Sequence, residues 1–197
     1  MKIHDISQEV FSCEVYPGDP KPERTVLSST DSGDLYNLTA FSMCAHNGTH
    51  VDAPYHFCPD GRTIDEMPLD SFVGHACVIS HSGSITAIDA ENILKKADEL
   101  NRDCRQRILI KGDGVLTEEG AEVFAEAGIK LFGTESQSVG PLDAPMAVHL
   151  IMLNAQIILL EGIRLSEVKE GAYILNAAPL NLAGSDGSPC RAILIES

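Results

Sequence analysis

His46-Asn47-Gly48-Thr49-His50-Val51-Asp52-Ala53-Pro54-Tyr55-His56-Phe57 is the most informative run of this chain. Three histidines and an aspartate fall within eleven positions. All four carry even numbers, so an extended backbone sends His46, His50, Asp52 and His56 out on one face, because strand side chains alternate with period two. A helix does this badly. His46 and His50 suit i, i+4, but Asp52 would lie about 200° round from His50, and Gly48 and Pro54 disfavour a helical interior. Neutral imidazoles and a carboxylate are donors that zinc, manganese or iron accepts. Gly48 is expected to leave room for an ion and its bound ligand against the backbone. A lone histidine is most often a packing residue, whereas four ligand types on one face point to metal.

Working outward, Tyr16-Pro17-Gly18-Asp19-Pro20 is a loop, since proline fixes φ and glycine permits a tight turn. Between Asn37 and Val51, the residues Leu38, Phe41, Met43 and Val51 alternate with small or polar ones, which predicts strands with one buried face. Gly74 to Ile79 reads as a strand. Thr86 to Leu100 places Ile88, Ala90, Ile93, Leu94 and Ala97 near helical spacing, with Thr86 or Asp89 able to cap the start. Arg107 to Lys111 is a short apolar strand, and Thr117-Glu118-Glu119-Gly120 opens a second helix with a hydroxyl cap and acidic first turn. Ile129 to Phe132 is a strand. Asp143-Ala144-Pro145 starts a helix running to about Asn154, and Gln156 to Leu160 suits a buried strand. With strands and helices alternating and no repeat or linker, residues 1–197 are expected to form a single mixed α/β domain.

The 197 residues, 44% hydrophobic and 22% charged, suffice for one good core. A formal charge of −15 repels phosphate backbones and anionic lipid over most of the molecule, so neither nucleic acid nor membrane is an expected partner; the partner expected is a small-molecule substrate. Cys13, Cys44, Cys58, Cys77, Cys104 and Cys190 are scattered with no C-x-x-C pair, and read as free thiols. No apolar leader opens the sequence and no run of about 18 apolar residues occurs. A cytoplasmic location is the expectation. Gly112-Asp113-Gly114 lacks the rest of any nucleotide-binding fingerprint, and no G-x-S-x-G elbow is present.

The histidine run matches, position for position, the H-x-G-T-H-x-D-x-P-x-H-F signature of the cyclase family, which includes bacterial kynurenine formamidase and isatin hydrolase. Asp5-Ile6-Ser7 with Tyr16 to Pro20 resembles the family's start, and Gly184-Ser185-Asp186-Gly187-Ser188-Pro189-Cys190-Arg191 its closing loop and strand. The resemblance implies a swivelling β/β/α-type domain, commonly a homodimer or higher homo-oligomer, sometimes with neighbouring chains bordering the pocket. It also implies that His46, His50 and Asp52 hold one divalent metal, that Asp52 bridges to a second, and that His149 and Glu161 complete the pair. Two zinc ions per chain are expected, with manganese the alternative. His56 is left outside the cage as a general acid/base for hydrolysis of an aryl formamide such as N-formylkynurenine by metal-activated water. Without the resemblance, Glu161 would read as a strand-end charge and His149 as a core histidine.

One stretch departs from the family. A G-x-D-x-x-S-x-D pattern is common there, whereas Gly133-Thr134-Glu135-Ser136-Gln137-Ser138-Val139-Gly140 carries glutamate and lacks the last acid, which is expected to alter the substrate pocket. The alternatives within enzymes are lactam or lactone opening, or ring closure. Outside enzymes, the alternative is a non-catalytic metal- or ligand-binding module, against which His56 argues, since a storage site needs no acid–base group beside a full ligand set.

Overall fold

The alternation expected of the second half is what the chain builds. The structure is a computed structural model and describes residues 1–196. Its strands are β1 (Lys2–Asp5), β2 (Glu23–Ser28), β3 (Leu38–Ser42), β4 (His50–Asp52), β5 (Val73–Ser80), β6 (Gly83–Ile85), β7 (Arg107–Lys111), β8 (Gly114–Leu116), β9 (Leu131–Thr134), β10 (Ile158–Glu161), β11 (Gly171–Asn176), β12 (Gly187–Pro189) and β13 (Ile193–Glu196). The helices are α1 (Leu69–Phe72), α2 (Ala87–Leu100), α3 (Glu118–Ala127) and α4 (Met146–Asn154).

Nine strands form one curled sheet in the order β1-β13-β11-β5-β7-β9-β10-β4-β12. The central run β5-β7-β9-β10 is parallel and its crossovers carry α2, α3 and α4, as parallel pairing requires. The flanks are antiparallel. Period two divides the central strands between two cores: Ile108 and Ile110 pack with Ile93, Leu94, Phe124 and Met152 of the helices, while Leu109 joins Ile6, Ile64, Phe72 and Leu160 on the other face. Burial on both faces is why these strands are continuous apolar runs.

Local chemistry sets the element ends. Thr86 and Asp89 close a reciprocal capping box at α2, and the Thr117 hydroxyl accepts from the Gly120 amide at α3. The chain leaves α3 through Gly128 at φ 65° and leaves α4 near Gln156 at φ 61°. The expected strands at 129–132 and 156–160 therefore begin about two residues later than the apolar runs.

The expectation of one buried face between Asn37 and Val51 holds at Val51, which is fully buried on β4, and is corrected over β3. β3 pairs only with β2 in a separate two-stranded ribbon whose residues are nearly all exposed, Phe41 at 60% included. The alternation is present, but no layer lies behind it. Phe41 is thus not a core residue.

Candidate metal centre and its cleft

β4 is only three residues long, wedged between β10 and β12 with His50 opposite Glu161 and Asp52 opposite both Leu159 and Gly187. Its alternation puts His50 and Asp52 on one face, as expected. The same argument fails for the other two residues: 45–48 is a turn, and Pro54–His56 is a single 3-10 turn. His46 and His56 reach the same cluster by chain reversal rather than by strand period. Gly48 is also corrected. It takes φ 65°, and a Cβ there would stand 2.8 Å from Cβ of Cys13, so it serves a left-handed turn packed against Cys13 rather than making room for an ion.

Around Asp52 the other five expected residues converge. His46 Nδ1 lies 2.8 Å from Asp52 Oδ1, and His50 Nε2 lies 3.4 Å from both Asp52 Oδ1 and Glu161 Oε2. His149 Nε2, from α4, lies 3.3 Å from Glu161 Oε1 and 3.8 Å from Asp52 Oδ2. Asp52 is wholly buried and His50, His149 and Glu161 nearly so. His56 stacks on His46 with ring centroids 4.0 Å apart.

Three donor groups each keep their ligand atoms within 4.8 Å of one another: His46–His50–Asp52 and Asp52–His149–Glu161, which share the buried Asp52, and the less buried His46–His56–Asp186. The hydrogen bonding around the first two favours a cation. His50 Nδ1 is 3.0 Å from the Gly48 carbonyl and His149 Nδ1 2.8 Å from the Pro145 carbonyl. A carbonyl only accepts, so both Nδ1 atoms carry hydrogen and the neutral rings turn bare Nε2 lone pairs toward carboxylate oxygens. Lone pair against anion is repulsive unless a proton or metal ion lies between. Asp52 Oδ2 is moreover buried without a hydrogen-bond partner, a costly condition for a charged oxygen. These residues fit a divalent metal.

Without metal, protons fill that role. Burial alone would depress His46, but the Asp52 charge and hydrogen bonds to Asp186 and Asp52 push its imidazole up to about 10. Burial likewise opposes charge on His50 and His149, and their contacts with Glu161 and Asp52 raise both. Burial works against ionised Asp52, yet His46 above all holds its carboxyl well below the usual range.

A cleft of about 480 Å³ opens onto the cluster. Tyr16, Phe57 and Pro145 form its flatter walls, and the Tyr16 hydroxyl donates to the Leu142 carbonyl at 2.8 Å, tying the 16–20 loop to the start of α4. Gln137 and Ser138 line it too, with side-chain polar atoms that have no partner among the described residues. Cys44 lines it as well, half-buried. The altered 133–140 stretch has a structural explanation. Glu135 accepts from the Gly112 and Leu165 amides, 2.7 Å each, outside the cleft, and a Cβ on Gly140 would meet Val148 at 3.1 Å, leaving little space for an acid.

Asp186 was not singled out from the sequence. Its Oδ2 sits 2.9 Å from His46 Nε2 and 3.3 Å from His56 Nδ1. These two hydrogen bonds hold its carboxyl well below the usual range. Separated from His56 by 130 positions, it had no local signal beyond the turn-forming Asp186-Gly187 pair.

Residues 4–141 match the Cyclase family model. The kynurenine formamidase of Salinibacter ruber is 34% identical, covering 98% of this chain and 97% of its own. A solved structure described as a potential metal-dependent hydrolase with cyclase activity is 27% identical, with TM-score 0.81 and coverage of 98% and 96%. Isatin hydrolase A of Labrenzia aggregata shares the fold at 21% identity, TM-score 0.82 and coverage of 100% and 94%. With the signature histidines gathered around a buried aspartate and relatives matching over nearly the whole length, the chain is a hydrolase of the Cyclase family.

Proposed function

We propose that this chain hydrolyses a small aryl formamide, with N-formylkynurenine the leading substrate, using two divalent cations and His56 as the proton-transfer group. The observation that carries the reading is the arrangement around Asp52: two donor sets sharing one buried carboxylate, with a further imidazole beside them. His46, His50 and Asp52 would hold one ion and Asp52, His149 and Glu161 the other, as zinc or, since the same donors accept it, manganese. When bound, such ions supply Lewis acidity, which acidifies water and stabilises the oxyanion formed at an attacked carbonyl.

The chain's own residues do the rest. The Gly48 and Pro145 carbonyls fix the His50 and His149 tautomers. His56 Nδ1 faces Asp186, so its Nε2 is the nitrogen left to serve the cleft. In hydrolysis a C–O bond forms from water, the C–N bond breaks, and one water proton ends on the departing amine. His56 carries that proton, at the distance such transfer requires only when substrate is seated. Tyr16 and Phe57 offer flat surfaces to an aromatic ring, and a cleft of this volume suits a small ligand.

The matching relatives named kynurenine formamidase favour this substrate over a lactam or lactone. Elemental analysis of protein purified without chelator, with hydrolysis of N-formylkynurenine before and after metal removal and add-back, tests it. About two ions per chain and metal-restored hydrolysis are expected. Turnover only of lactams or lactones would move the substrate, and loaded protein inert on all three would leave a binding module.

We further propose a homodimer, in a cytoplasmic setting, with no nucleic-acid or membrane partner. The exposed ribbon carries Val26, Leu27, Leu38 and Phe41 into solvent, and beside it lies a hollow of about 920 Å³ walled by Phe11, Met43 and Leu180. A two-fold pairing would let each copy's ribbon cover the other's hollow, satisfying both surfaces at once. Among the described residues no helix is long and apolar enough to cross a membrane.

A further inference from the structure

We propose that Asp186 is a positioning residue for His56: its carboxylate fixes the ring that moves the proton. This rests on His56 acting as the proton-transfer group.

The geometry is built rather than incidental. Asp186 Oδ2 receives both contacts, 2.9 Å from His46 Nε2 and 3.3 Å from His56 Nδ1. The two rings lie stacked, 25° from parallel, so one in-plane acceptor reaches an edge of each. Its backbone is equally fixed. The Asp186 carbonyl accepts from the Ala53 amide at 2.9 Å, immediately after Asp52, and the Ser185 carbonyl from the Ile64 amide at 2.8 Å. Next in sequence, Gly187 pairs with Asp52 in the sheet, and a Cβ there would stand 2.7 Å from Cε1 of His46. Only glycine lets this strand approach closely enough for the preceding carboxylate to span both rings.

His56 itself sits at the end of a single 3-10 turn and is half-buried, so its own segment does not lock the ring. A half-turn about χ2 would exchange Nδ1 with Cδ2 and Nε2 with Cε1, taking the nitrogen away from Asp186 and pointing a carbon at the cleft. An anionic acceptor on Nδ1 selects the tautomer with Nε2 free and holds it there, the role carboxylates play behind catalytic and metal-binding imidazoles.

The test compares Asp186→Ala, His56→Ala and the double variant as metal-loaded proteins, assayed on N-formylkynurenine or whichever formamide, lactam or lactone the unaltered protein turns over. Asp186 is partly exposed, and its main-chain anchors survive the substitution. Asp186→Ala is expected to lower kcat roughly 10–100-fold with KM and metal content within about two-fold of the parent. The double variant should match His56→Ala, because a residue acting through His56 has nothing left to position. Unchanged kcat in Asp186→Ala, loss of metal in step with activity, or a double variant slower by the product of the two effects would overturn the proposal while leaving the role of His56 intact. Full activity in His56→Ala would remove the proton-transfer reading, and this one with it.

Discussion

Glu161 and His50 are register partners across the antiparallel β10–β4 pair, and His50 Nε2 lies 3.4 Å from Glu161 Oε2. One backbone pairing thus joins the two halves of the cluster: His50 belongs with His46 and Asp52, Glu161 with Asp52 and His149. A slip of one residue would turn either side chain to the opposite face. The site is therefore as stable as the sheet register that carries it.

Removing the shared carboxylate should cost both ions, whereas removing a residue from one set should cost mainly one. Elemental analysis is expected to give about two ions per chain in the parent, about one in His149→Ala, and well under one in Asp52→Asn. Equal loss in both variants would contradict the sharing of Asp52.

His56 lies beside the donor sets without belonging to the two that meet at Asp52. Its replacement by alanine should lower kcat by roughly 10²–10⁴-fold, the usual yield of a positioned acid–base group, with metal content retained. Metal loss with an intact fold would make His56 a ligand instead.

Metal and protons compete for the same nitrogens. With His46 pushed up to about 10 in the metal-free protein, loading near pH 7 must expel at least about one proton per chain. The measured binding heat should then vary with the ionisation enthalpy of the buffer, and a buffer-independent heat would contradict this. The sign for stability follows from the same shift. A raised folded value means that the contribution of His46 is complete below its unfolded value of about 6.5 and is lost as pH rises through about 10. Urea midpoints of metal-free protein should fall across that window.

Gly162 follows Glu161 at φ 68°, and a Cβ there would stand 2.3 Å from the Gly48 carbonyl oxygen. Both Gln8 Nε2 and the Thr49 hydroxyl donate to its carbonyl, at 2.8 and 2.7 Å. Gly162→Ala should therefore destabilise the fold by about 1–3 kcal/mol or more and weaken metal retention, because relief of the clash displaces Glu161. Thermal unfolding with and without chelator separates the two effects.

Phe41→Ser, on the exposed ribbon, should shift the protein from dimer to monomer in light scattering at micromolar concentration while leaving the metal content of each chain unchanged. A parent that is already monomeric would remove the ribbon from any self-association.

The central strands, the caps at Thr86 and Thr117, and the set His46, His50, Asp52 and His56 were legible because each is written in neighbouring residues: an apolar run, a hydroxyl before acids, ligand types spaced closely. His149 and Glu161 were legible only through family resemblance, since a histidine on an apolar helix and a glutamate closing a strand usually do nothing further. Even within the legible set, period two was right for His50 and Asp52 but not for His46 and His56, which arrive by turns at either end of a three-residue strand. The same alternation on β3 promised a core that no layer supplies. Asp186 and the role of Gly187 belonged to the tertiary structure alone. Their meaning depends on antiparallel pairing of β12 with β4, a contact across more than a hundred positions, and local sequence fixes which residues could pair but not which strand the fold brings alongside.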